Sequence, residues 1–176
     1  MVGQAPYSDI SSTGASRDFR PRLPQASCLR QARVLLVDDA RNDILLAKRY
    51  LFGSRGMGCD LHTAMSSHEA MDVMVAQLER GEPIDLVLID INMPGESGFQ
   101  LLDMIRAQPR LGRVPVVMCT GSSHDVDRHQ AMHLGAVGYV VKPPSLEKLR
   151  DILEVLPLLD IQEDGEGLRL SAIGAA

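Results

Sequence analysis

Five polar positions in this chain have the residue types needed to receive and hold a phosphoryl group. They are the adjacent carboxylates Asp38 and Asp39, the carboxylate Asp90, the hydroxyl of Thr120 and the ammonium of Lys142. If they share one rim, three carboxylates repel one another by up to ~4 kcal/mol per pair at 4 Å and an effective dielectric of 20. Such a cluster calls for a cation. Hard oxygen ligands on loops suit Mg²⁺, which takes one or two carboxylates and leaves its other positions to water and phosphate oxygens. A hydroxyl and an ammonium would complete a phosphoryl site, because in-line transfer to a carboxylate needs little beyond positioning, Mg²⁺ and counter-charge.

The elements that would place these residues can be read from the spacing. Each of the five comes at or just after the end of an apolar, β-branched run: Arg33 to Val37 before Asp38, Ile84 to Ile91 around Asp90, Val114 to Cys119 before Thr120, and Val137 to Val141 before Lys142. Runs with little alternation are typical of central parallel strands covered on both faces. A polar residue past the carboxyl end of such a strand lies in the crevice where open α/β sheets hold ligands. Pro94 and Gly95 then stop the Asp90 strand and turn the chain. Cys59 to Ala64 alternates weakly and reads as an edge strand.

Between the strands, apolar residues recur at spacings of three and four, as on helices with one buried face. They fall over Arg41 to Leu51, from the Ser66 or Ser67 cap to Leu78, over Gly98 to Ala107, over the polar stretch His124 to Leu134, and from the Ser145 cap through Leu156. Strand then helix, five times over, predicts an α/β fold. With right-handed crossovers this is a doubly wound five-stranded parallel sheet with helices on both faces. Residues 1–31, rich in Ser, Pro, Gly and Arg, read as a flexible N-terminal arm, 32–157 as the folded domain and 158–176 as a C-terminal tail, loose or docked.

Composition removes several classes of function. The 176 residues are 45% hydrophobic, enough for one buried core. A net charge of −5 argues against nonspecific nucleic-acid binding, which needs a basic surface. No apolar run approaches the roughly 18 residues that cross a bilayer, so the expected location is the cytoplasm. The cysteines Cys28, Cys59 and Cys119 are unclustered and suggest neither a disulfide framework nor zinc. His129 and His133 have the spacing of a zinc pair, but no Glu follows His129 and no third ligand is evident, so a solvated helix face is the better reading.

Over about residues 33 to 156 the chain resembles the receiver domains of two-component response regulators. The resemblance rests on Val37-Asp38-Asp39, on Asp90 within Leu88-Ile89-Asp90-Ile91-Asn92-Met93-Pro94-Gly95, on Thr120 thirty residues later, and on Tyr139-Val140-Val141-Lys142-Pro143. It implies a flavodoxin-like sheet in order 2-1-3-4-5, Asp90 as the phosphoacceptor, and Mg²⁺ bound by Asp38, Asp39, Asp90 and the backbone carbonyl of Asn92. Thr120 and Lys142 would contact the phosphoryl oxygens, Thr120 and Tyr139 would form the switch, and Lys142-Pro143 would be cis. Gly121 and Pro144 depart from the family's frequent Ala and Phe. The Asp38-Asp39-Ala40-Arg41-Asn42-Asp43 stretch and the Ser145 to Leu156 segment look somewhat like the phytochrome-associated subgroup.

On this resemblance the expected function is a single-domain regulator. It would accept phosphoryl from a histidine kinase, such as a phytochrome, or from a phosphotransfer protein, and signal to a downstream protein. The expected catalysis is limited to self-phosphorylation and self-dephosphorylation. The alternative is a constitutive interaction or phosphate-sink module. An aspartyl phosphatase is disfavoured, since its second acid would stand at Asn92. Leu146, Leu149, Ile152, Leu153 and Leu156, with Val155, Leu158 and Leu159, span more than one core stripe. They suggest a homodimer through helix four, strand five and helix five, against the alternative that Leu168, Leu170 and Ile173 of the tail lie across Val155 and Leu158.

Overall fold

The computed structural model describes residues 29–53, 56–121, 125–165 and 167–173. In chain order these form β1 (Leu29–Gln31), β2 (Arg33–Val37), α1 (Arg41–Phe52), β3 (Met57–Gly58), β4 (Asp60–Ala64), α2 (Ser67–Glu79), β5 (Leu86–Asp90) and α3 (Gly98–Ala107). They continue as β6 (Val116–Thr120), α4 (Asp125–His133), β7 (Gly138–Val141), α5 (Leu146–Leu153), β8 (Leu159–Asp164) and β9 (Gly167–Ile173).

The main sheet runs β4-β2-β5-β6-β7 with every pairing parallel. This is the order 2-1-3-4-5 that the resemblance to receiver domains implied, in the parallel sheet expected from the strand and helix alternation. Its central strand, β5, is buried along its whole length. Leu86 and Leu88 pack into the layer with α1 and α5, and Val87 and Ile89 into the layer with α2, α3 and α4. Burying each such side chain stabilises the fold by about 1.5–3 kcal/mol, which offsets the cost of carrying Asp90 inward at the strand's end.

Helices α2 and α5 start at serine caps. The Ser66 hydroxyl accepts from Glu69 N–H at 3.2 Å, while the Glu69 carboxylate accepts from Met65 N–H at 2.7 Å. Ser145 likewise accepts from Lys148 N–H at 3.1 Å. The start expected at His124 lies outside the described residues, and α5 ends at Leu153, short of Leu156.

At the amino end the chain departs from the flexible arm expected of it, and at the carboxyl end the tail takes the docked alternative. Leu29–Gln31 is a strand, and the tail is a docked hairpin, so a second sheet forms beside the first. Its long strand β9 pairs antiparallel with β8 and with β1, and parallel with β3. Ala32 N–H donates to Leu170 O, and Asp60 N–H to Ala32 O, so this sheet closes the amino ends of the parallel strands, away from Asp90. The hairpin brings Leu159, Leu170 and Ala172, all buried, into the α1/α5 layer. Residues 1–28 of the expected arm lie outside the described residues.

Candidate functional site

Parallel strands in register bring their carboxyl ends side by side: Val37 lies beside Ile89, Asp90 beside Cys119 and Thr120 beside Val141. Asp38 and Asp39 follow β2 directly, Asp90 and Thr120 end β5 and β6, and Lys142 follows β7. The expected cluster is therefore assembled. One carboxylate oxygen from each of Asp38, Asp39 and Asp90 lies within 4.8 Å of the other two. Asp38 and Asp90 are only 3% and 4% exposed, so their charges are poorly screened by water.

The loop after β5 must pass very close to this cluster. Gly98, the first residue of α3, donates its N–H to Ile91 O at 3.0 Å. A Cβ on Gly98 would collide with the Asp90 carbonyl. Gly95 sits at φ 89°, a left-handed conformation that glycine adopts without strain. Asn92 lies in this loop with its side chain exposed.

Lys142 supplies the counter-charge. Its Nζ is 2.6 Å from Asp38 Oδ2, 2.9 Å from Asp43 Oδ2 and 3.1 Å from Asp90 Oδ1. Burial alone would lower the Lys142 pKa, but the hydrogen bonds to Asp38 and Asp43 and the Asp90 charge outweigh it and raise it. The side chain is an ammonium throughout the neutral range. Asp38 departs from an ordinary carboxyl as well: burial raises its pKa, against the opposing hydrogen bonds from Lys142 and Ala40 N–H. Asp90 Oδ1 is buried and, although near Lys142, has no aligned hydrogen-bond donor. A buried carboxylate oxygen without a donor is costly.

This donor set fits a hard divalent cation. It offers hard oxygen atoms, more negative charge than one ammonium cancels, and an orphaned oxygen facing inward. Cys119, beside the site, is no competing nucleophile, because burial pushes its thiol up to about 12.

Thr120 is fully buried, and its side chain is hydrogen-bonded to that of Tyr139. The Tyr139 ring packs against the core layer of α2, α3 and α4. The two expected switch residues are thus joined. The Lys142-Pro143 bond is cis.

A scan against family models matches residues 34–154 to the response regulator receiver domain. The chain belongs to the response regulator receiver domain family. A probable cyclic di-GMP phosphodiesterase of Vibrio cholerae serotype O1 is 35% identical over 124 residues, which are 69% of this chain and 26% of that protein. The chain spans about a quarter of that relative. Among solved structures, the chemotaxis response regulator CheY4 of Vibrio cholerae matches with TM-score 0.58 and 29% identity over 71% of this chain and 98% of that one. The phosphorylated cyanobacterial phytochrome response regulator RcpA matches with TM-score 0.57 and 28% identity over 70% and 89%. Receiver domains are signalling modules of two-component systems, in general without enzymatic turnover.

One outcome goes beyond what the sequence pattern indicated. Asp43, on the first turn of α1, reaches Lys142. It stands four residues after Asp39, one helical turn from the acid pair, and that spacing is the signal that could have found it. His129 and His133 are both exposed on α4, and among the described residues the one metal-like cluster is Asp38, Asp39 and Asp90.

Proposed function

We propose that this receiver is a switch controlled by phosphorylation of Asp90, and the observation that carries the reading is the buried, donor-poor Asp90 oxygen facing Asp38, Asp39 and Lys142. The Asp90 carboxylate oxygen attacks the phosphorus of a phosphohistidine on a histidine kinase or phosphotransfer protein. The new O–P bond forms as the donor's N–P bond breaks, and the electron pair leaves with the imidazole. Asp38, Asp39, Asp90 and the Asn92 carbonyl would hold Mg²⁺, which when bound supplies counter-charge to the phosphoryl oxygens. Lys142 and the Thr120 hydroxyl contact those oxygens directly, and water later hydrolyses the acyl phosphate. Phosphorylation adds roughly −1.5 to −2 charges, which draws Thr120 and Lys142 toward Asp90. The Thr120–Tyr139 hydrogen bond carries that movement to the surface of β7.

The partner is a histidine kinase or phosphotransfer protein, and the similarity to a phytochrome response regulator supports a phytochrome kinase. A cytoplasmic setting follows from such a donor, and no helix among the described residues is long and apolar enough to cross a membrane. A downstream protein, or a second copy through α4, β7 and α5, reads the switch. Support for the second copy comes from exposed Val126, Met132 and Val155. It no longer comes from the α5 leucines: Leu149 and Leu153 are buried, and Leu146, Ile152 and Leu156 pack on the core. The docked tail, in turn, leaves Val155 and Leu158 exposed.

Incubation with acetyl phosphate and Mg²⁺ followed by intact mass tests the reading. One phosphoryl group on wild type and none on Asp90→Asn is expected. A wild type that takes none, or an Asp90→Asn variant labelled equally, overturns it.

A further inference from the structure

We infer that Asp43 is a positioning residue for Lys142, giving its ammonium a seat at the edge of the pocket that remains when Asp38 and Asp90 are taken up by a cation. The inference rests on the phosphoryl-pocket reading above and names a residue that reading does not use.

The geometry is a competition for two carboxylates. Lys142 Nζ lies 2.6 Å from Asp38 and 3.1 Å from Asp90, two of the three carboxylates that would hold a divalent cation. A cation binding these carboxylates competes with the ammonium for them. A displaced ammonium with no partner would be a partly buried, unpaired charge, since the Lys142 side chain is only 18% exposed. Asp43 removes that penalty. Its Oδ2 accepts from Nζ at 2.9 Å, its side chain is 40% exposed, and it lies on α1, outside the Asp38, Asp39 and Asp90 group.

There is also room for the movement. A cavity of about 370 Å³ opens beside the three groups, lined by Asp38, Asp43, Lys142 and Pro144 together with Leu46 and Tyr50 of α1. The Lys142 ammonium, already 2.9 Å from Asp43, borders this cavity and has space on that side. Because the ammonium stays tethered there, it is at hand for phosphoryl oxygens once they arrive on Asp90.

Calorimetric titration with MgCl₂ of wild type, Asp43→Asn, Lys142→Ala and the double variant tests this. Asp43→Asn should weaken Mg²⁺ binding roughly three- to fivefold, the size of a half-exposed charge pair. Asp43→Glu should restore most of the affinity. In the Lys142→Ala background the Asp43→Asn effect should largely vanish, because there is no ammonium to seat. In Mg²⁺-saturated wild type, the Lys142 ammonium should give a protected ¹⁵N signal that Asp43→Asn loses. An equal fold-loss in both backgrounds, or wild-type affinity in Asp43→Asn, overturns the positioning role and leaves the phosphoryl pocket intact. A wild type that neither binds Mg²⁺ nor accepts phosphoryl overturns both.

Discussion

One strand of this protein carries an aspartate at each end, and the two have opposite surroundings. Asp85, entering β5, accepts two hydrogen bonds from the Arg30 guanidinium, both at 2.7 Å, and one from Arg33 N–H at 2.8 Å. Asp90, ending the same strand, is more deeply buried, faces two other carboxylates, and keeps one oxygen without an aligned donor. A bidentate guanidinium satisfies a carboxylate in geometry as well as charge; an ammonium shared among three acids does not. Asp85 is therefore satisfied within the structure, and Asp90 keeps an unsatisfied oxygen, which suits the proposed cation and phosphoryl group.

The sharpest way to break this comparison is to neutralise each end in turn. Asp90→Asn should lose all acetyl-phosphate labelling yet melt no lower than wild type in the absence of metal, because it relieves repulsion among like charges. Asp85→Ala should still be labelled but lose about 2–3 kcal/mol of stability, the cost of leaving charge-assisted donors unpaired. Intact mass and thermal unfolding read the two outcomes. If Asp85→Ala abolishes labelling while remaining folded, the two ends are not separate in role.

The Asp85 end depends on the second sheet, because Arg30 is on β1 and β1 is held by β9. Leu170 is fully buried in the layer with α1 and α5, so Leu170→Ala should cost about 2–5 kcal/mol, typical of a Leu cavity. Labelling at Asp90 should persist below the new melting temperature. A Leu170→Ala protein as stable as wild type would mean the hairpin is not part of the folded core.

The Asp90 end should instead be revealed by pH. Burial raises the folded pKa of Asp38 above the ordinary 3.8. For a carboxyl raised in this way, stability is fully present below the unfolded pKa and is lost as pH rises through the folded one. Without metal the protein should therefore lose stability over that window. With saturating Mg²⁺, which binds the ionised form, the melting temperature should gain over the same window through linkage. The two curves separate on the alkaline side, and Asp38→Asn should remove the separation. Parallel curves for wild type would count against Asp38 as a ligand.

The same contrast decides what the sequence made legible. The rim was readable because polar residues interrupt apolar strands at the one place where all parallel strands end, so type and spacing alone group Asp38, Asp39, Asp90, Thr120 and Lys142. The parallel sheet with helices on both faces followed from the same alternation, and its strand order from the resemblance to receiver domains. The closed end was not readable in this way. Leu168, Leu170 and Ala172 alternate with period two next to the glycines at 165 and 167, a hairpin pattern in sequence, but its acidic flank reads equally as a solvated tail. Arg30 lies in three residues whose strand exists only through pairing with a segment some 140 positions away. Asp43 was obscured by its place in the first turn of a helix, where an acidic residue is expected for the helix dipole alone.

The smallest effect concerns the route out of the rim. Burial raises the Tyr139 pKa, and the hydrogen bond from Thr120 works against that rise. Thr120→Ala should therefore push the Tyr139 titration higher still, read by ultraviolet absorbance against the Tyr139→Phe variant. A neutral hydrogen bond contributes about 1 kcal/mol net, so Tyr139→Phe should lower the melting temperature by only a few degrees, roughly 2–4 °C. Its ring still packs on the core, and labelling of Asp90 should be unchanged. Thr120→Ala removes the same bond from the other side, so the double variant should cost less than the two single losses added together. Additive losses would show that the hydroxyls act separately, and the path from Asp90 to the β7 surface would then have to run through Lys142 instead.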